Sequence, residues 1–114
     1  MTGDYHDLSH EDYLQHVRQS LLVCIDDFLA RRLSVIEASR RIWRLGNELS
    51  NDDPLFRIFL GIDSETDHLP IEDERNLWDP KALIEKDKEI REMEINFESE
   101  ARIAAEVLRS RFGR

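Results

Sequence analysis

Leu14, Val17, Leu21, Cys24, Ile25 and Phe28 recur at three- and four-residue spacing. That spacing sets them on one face of a 3.6-residue helix, and it predicts a first helix over residues 10–32. Ser9, with Asp12 three residues later, offers a capping oxygen and an acid for the first turn. Ser34 and Glu37 repeat the device in its preferred form, and Ile36, Ile42, Leu45 and Leu49 carry a second helix to about residue 49. Gly46 weakens that helix near its end. Asp53 can cap a third helix, because Pro54 suits a first helical position whose N–H would be unpaired anyway. This helix, "PLFRIFLG", is short and very apolar and ends at Gly61.

Asp79 and Pro80 repeat the cap-plus-proline start. Leu83, Ile90, Phe97 and Ala104 then fall every seven residues, with Met93, Ala101 and Leu108 filling the stripe. The last helix therefore extends to about Phe112, roughly 50 Å at 1.5 Å per residue. Its arginines 102, 109, 111 and 114 lie late, as the helix dipole prefers. No segment sustains period-two alternation, so no sheet is expected. The fold class is all-α: an irregular antiparallel helical bundle with a long C-terminal helix and an acidic loop before it. With 114 residues, the chain is read as a single helical domain over 1–114.

Composition adds few constraints. Only four Gly and three Pro argue against a turn-rich sandwich or barrel. Cys24 is the single cysteine, excludes an intrachain disulfide, and reads as a buried structural thiol in "LLVCI". The acidic N-terminus has no basic start followed by an apolar stretch, so no signal peptide is expected. A cytoplasmic location follows from these features as an expectation. A net charge of −9 disfavours binding to nucleic acid or to an anionic membrane.

The charge is unevenly spread. Residues 1–30 carry six acids and one base, and residues 31–49 carry five bases and two acids. Residues 50–79 carry nine acids and two bases, and residues 80–114 balance at eight each. The acids of the third segment crowd "GIDSETDHLPIEDERNLWDP", which raises three kinds of chemistry.

Calcium is the first. Counted from Asp63, the acids Glu65, Asp67 and Glu74 fall at positions three, five and twelve of an EF-hand loop, but His68 replaces the turn glycine at position six and Pro70 stands at position eight, which is usually apolar and paired. Transition-metal binding needs imidazole or thiolate at fixed spacing. His6, His10, His16 and His68 lack an evident third ligand and read as surface histidines. Catalysis is the third. The glycines at 3, 46, 61 and 113 form no phosphate loop, and Ser64, Glu65 and His68 lack an identifiable oxyanion hole. No enzyme, no metal and no cofactor are expected.

Binding remains. The segment interleaves acids with Ile62, Leu69, Ile71, Leu77 and Trp78, and interfaces combine apolar anchors with charged rims. Trp43 and Trp78 suit a core as well as an interface. The candidate partner-binding residues are Asp52, Asp53, Asp63, Glu65, Asp67, His68, Glu72, Asp73, Glu74 and Trp78.

The order of Phe56 and Phe59, "IDSETDHLP", Arg75, "WDP" and "EKDKEI" resembles that of short bacterial proteins encoded beside secreted toxins. These are the immunity proteins of polymorphic-toxin and contact-dependent inhibition systems. The resemblance spans about residues 36–112 and rests on size, acidity, helical content and motif order. It does not extend to the colicin nuclease immunity proteins, so their docking mode is not carried over. It implies a cytoplasmic inhibitor, monomeric or weakly dimeric, that covers the active site or an essential surface of one cognate toxin domain. A basic toxin domain, such as a nuclease, would suit the acidic segment. A second possibility is a small helical adaptor or regulator acting through its long C-terminal helix.

Overall fold

A computed structural model describes the backbone of residues 2–49 and 53–113 and the side chains of residues 10–49 and 53–113. Four α-helices run in the order α1 (Thr2–Leu29), α2 (Val35–Leu49), α3 (Pro54–Thr66) and α4 (Pro80–Phe112). A 3₁₀ helix, Glu72–Leu77, lies between α3 and α4. No strand occurs among the described residues. The all-α bundle and its long last helix are therefore present.

The capping chemistry forms at three of the four starts. The Ser34 hydroxyl accepts the Glu37 N–H at 3.2 Å, and the Glu37 carboxylate lies 3.3 Å from the same hydroxyl. Asp53 accepts the Leu55 N–H and Asp79 the Lys81 N–H, both at 3.0 Å, with proline in the first turn each time. The start of α1 differs from expectation. The helix begins at Thr2, so the backbone of Ser9 lies within it; the Ser9 side chain, like those of His6 and Asp52, lies outside the described residues.

α1 also ends earlier than the apolar spacing indicates, at Leu29 instead of about residue 32. Arg31 turns left-handed at φ 64°, and the N–H groups of Arg32 and Leu33 both reach back to the Asp27 carbonyl. This closure is usually made by glycine, and no glycine stands there to announce it. α3 differs in the opposite sense. It passes through Gly61 and continues to Thr66, because Gly61 keeps a negative φ and Ile62 and Thr66 prolong the buried stripe.

The main core joins Leu21, Ile25 and Phe28 of α1, Ile42 of α2, Phe59 and Ile62 of α3, and Ala101, Ala104, Ala105 and Leu108 of α4. The α4 residues that reach full burial all lie at 101 or later, and most are alanines, which lets that half approach closely. A second, smaller cluster of Ile36, Leu69 and Ile71 sits against Ile90 and Met93. It packs residues 69–71 along the first half of α4. The molecule is consequently long: 58 × 30 × 23 Å, with a radius of gyration of 16.3 Å, against about 13 Å for a compact chain of this size. No helix among the described residues is long and apolar enough to cross a membrane.

Candidate functional site

The acidic segment is divided by its surroundings into an inner and an outer set of charges. Arg40 of α2 organises the inner set. Its guanidinium is only 13% exposed and donates to Asp63 at 3.0 Å, to Glu74 at 3.1 Å, and to the carbonyls of Thr66 and Leu69 at 3.1 and 3.2 Å. Asp63, itself 14% exposed, accepts the Trp43 indole N–H on its other oxygen at 2.6 Å. Two oxygens of one carboxylate are thus occupied by two groups of α2. Arg40 thereby adds a donor to the Thr66 carbonyl at the end of α3, which also accepts the Leu69 N–H at 3.0 Å, and reaches the Leu69 carbonyl just beyond it.

The rest of the inner set follows the same pattern. Glu72 pairs with Arg41, on a backbone held left-handed at φ 52°. Arg75 grips Asp87 of α4 with two nitrogens, at 2.7 and 3.1 Å. The hydrogen bond from Arg75 holds the Asp87 carboxyl below its usual range. His68 lies 2.6 Å from Glu89, and this contact lowers the Glu89 pKa. Lys86 stands over the Trp78 ring, 5.7 Å from its centroid, leaving the indole 36% exposed. Asp53, besides capping α3, meets Arg111 near the other end of the chain at 2.8 Å. These contacts run from the segment to α2 on one side and to α4 on the other.

The outer set is Glu65, Asp67 and Asp73. All three are exposed and make no hydrogen bond or ion pair among the described residues. Glu65 lies in the last turn of α3 and Asp67 occupies its C-cap, with no basic residue in that turn. The negative end of a helix dipole opposes carboxylates there, at about 0.3–1 kcal/mol each. Glu65 also stands at the edge of a groove of about 430 Å³ between α3 and α4. Ile58 and Phe97 supply its apolar wall, and Glu65 and Glu100 its acids, with Arg57 nearby.

Of the residues singled out from sequence, Asp63, Glu72 and Glu74 are therefore brought together around Arg40 and Arg41. His68, Trp78 and Asp53 face basic or acidic groups elsewhere, and Glu65, Asp67 and Asp73 remain open to solvent. The EF-hand spacing is not laid out as a loop, since Asp63 and Glu65 are helical and Asp63 faces Arg40. The residues missed from sequence are Arg40 and Arg41, whereas Trp43, read as core or interface, serves as a donor to Asp63. Their signal was the excess of bases over 31–49 directly preceding the excess of acids over 50–79. Comparison with known proteins finds no family model, no curated protein and no solved structure that matches this chain.

Proposed function

We propose that this chain is a protein-binding inhibitor of the immunity type, acting in the cytoplasm, which neutralises a cognate toxin domain by covering a basic surface on it. One observation carries the proposal: Glu65 and Asp67 stand exposed and unpaired at the end of α3, where the helix dipole opposes them. Charges placed against the needs of folding, while their neighbours are neutralised internally, suit recognition of an external cation. The adjoining groove, with apolar walls and acids at its edge, has the anatomy of a small interface. Acids of this kind raise the rate of encounter with a basic partner more than they raise affinity.

The test is co-expression with any toxin-like domain encoded by a flanking gene, followed by kinetics on the purified pair. The wild-type chain is expected to restore growth. The triple variant Glu65→Gln, Asp67→Asn, Asp73→Asn should melt as wild type and associate about tenfold more slowly at low salt, with the difference fading as salt rises. Failure to restore growth, or an unchanged association rate for the triple variant, would sink the proposal.

A second reading, a helical adaptor, draws on α4. Ile84 and Ile95 are 59% and 75% exposed, and their eleven-residue separation places them on one side of the helix. Sedimentation at rising concentration, with Ile95→Lys as the control, distinguishes self-association through this face from a monomer.

A further inference from the structure

α1 and α2 leave a groove of about 560 Å³ between their outer faces. That volume is in the range of small-molecule sites, roughly 300–1,000 Å³. Val23, Cys24 and Leu45 form its apolar surface. Val23 is 59% exposed, an uncovered branched side chain in the middle of a helix. Cys24 is nearly buried, and burial pushes its thiol up to about 11, so it presents a neutral, apolar group.

The polar edge of the groove carries two arginines, Arg41 and Arg44, beside Asp27, His16, Gln19 and Ser20. Arg41 is already paired with Glu72, and Asp27 at the edge is held by Arg32 at 2.9 Å. Arg44 is exposed and has no ion-pair partner among the described residues. A neutralised pair on one side and a free guanidinium on the other leave one position where an anion gains a partner. Arginine is well suited to it, because its planar fork matches a carboxylate with two parallel N–H bonds.

We propose that this groove binds an amphipathic carboxylate of the medium-chain fatty-acid class. The aliphatic chain lies over Val23, Cys24 and Leu45, and the carboxylate meets Arg44. The apolar surface alone would accept any chain, so the head group supplies the selectivity. The site is separate from the acids of α3 and is independent of the partner-binding proposal.

Isothermal titration calorimetry with dodecanoate, held below its micelle concentration, tests it against two controls. Dodecyltrimethylammonium has the tail with the opposite charge, and butyrate has the head without the tail. Dodecanoate should bind saturably at one site, while both controls bind at least tenfold more weakly. Arg44→Gln should weaken dodecanoate about tenfold, as expected for loss of a charge-assisted pair. Val23→Asp, at an exposed position, should abolish binding without lowering the melting temperature. Bound dodecanoate should also slow modification of Cys24, the only thiol in the chain. Absence of binding, equal binding of the ammonium analogue, or dodecanoate affinity that survives both substitutions would each overturn the proposal.

Discussion

Arg40→Ala should be among the most damaging single changes at a charged residue in this chain. The substitution removes a guanidinium that is 13% exposed and leaves Asp63, 14% exposed, with the Trp43 indole as its one remaining partner. It also removes the side-chain donor to the carbonyls of Thr66 and Leu69, of which Thr66 keeps the Leu69 N–H. Breaking a fully buried ion pair from one side costs about 3–5 kcal/mol. Arg40 retains some access to solvent, so about 3 kcal/mol is the reasonable figure. For a chain of this length that corresponds to a fall in melting temperature of roughly 10–15 °C. Urea denaturation of Arg40→Ala, Asp63→Ala, Glu74→Ala and the two doubles then separates the contributions. Coupling between Arg40 and Asp63 should reach about 2 kcal/mol, because both groups are largely withdrawn from water. Coupling between Arg40 and Glu74 should stay below about 1 kcal/mol, since Glu74 is 56% exposed and solvent screens the pair. If Arg40→Ala costs less than about 1 kcal/mol, or Glu74 couples as strongly as Asp63, then Arg40 is not what fastens this segment.

Two glycines should respond to alanine with opposite signs in thermal melts. A Cβ on Gly46 would lie 2.2 Å from the buried Phe56 ring, so overpacking of about 1–3 kcal/mol should outweigh a helix-propensity gain of about 1 kcal/mol. A Cβ on Gly61 would meet nothing within 4 Å, and Gly61→Ala should stabilise by about 0.5–1 kcal/mol. Glu94→Gln should raise the melting temperature at pH 7, because burial favours the neutral acid and lifts the folded-state pKa. The advantage should shrink as pH falls through that raised value and vanish below the unfolded value of about 4.3; an advantage that persists at pH 3 would show that charge is not its cause.

Local rules located three of the helix starts, while the Ser9–Asp12 pair did not mark the start of α1. Ser34 with Glu37, Asp53 with Pro54, and Asp79 with Pro80 marked three starts, and each cap forms. Boundaries went astray where tertiary context decided instead. Arg31 closes α1 in a left-handed conformation that no glycine marks, and Gly61 reads as a stop although its backbone is ordinary helix. The long acidic loop proved half helical for that reason. At the candidate site, the acids were visible but the direction they face was not. Complementary charges over 31–49 and 50–79 describe a contact between neighbouring elements as well as they describe recognition of a second molecule. Only the placement of Arg40 and Arg41 separates Asp63, Glu72 and Glu74 from Glu65, Asp67 and Asp73.

The small cluster of Ile36, Leu69 and Ile71 against Ile90 and Met93 has a consequence for how the molecule opens. It shares α2 and α4 with the main core but holds residues 69–71 on far less buried apolar surface. Two regions of such unequal burial should exchange their amide hydrogens at different free energies, as separate cooperative units. The first half of α4 and residues 67–78 should form the weaker unit, losing amide protection ahead of the main core in hydrogen-exchange measurements. The long molecule should then loosen first at the end that holds the smaller cluster.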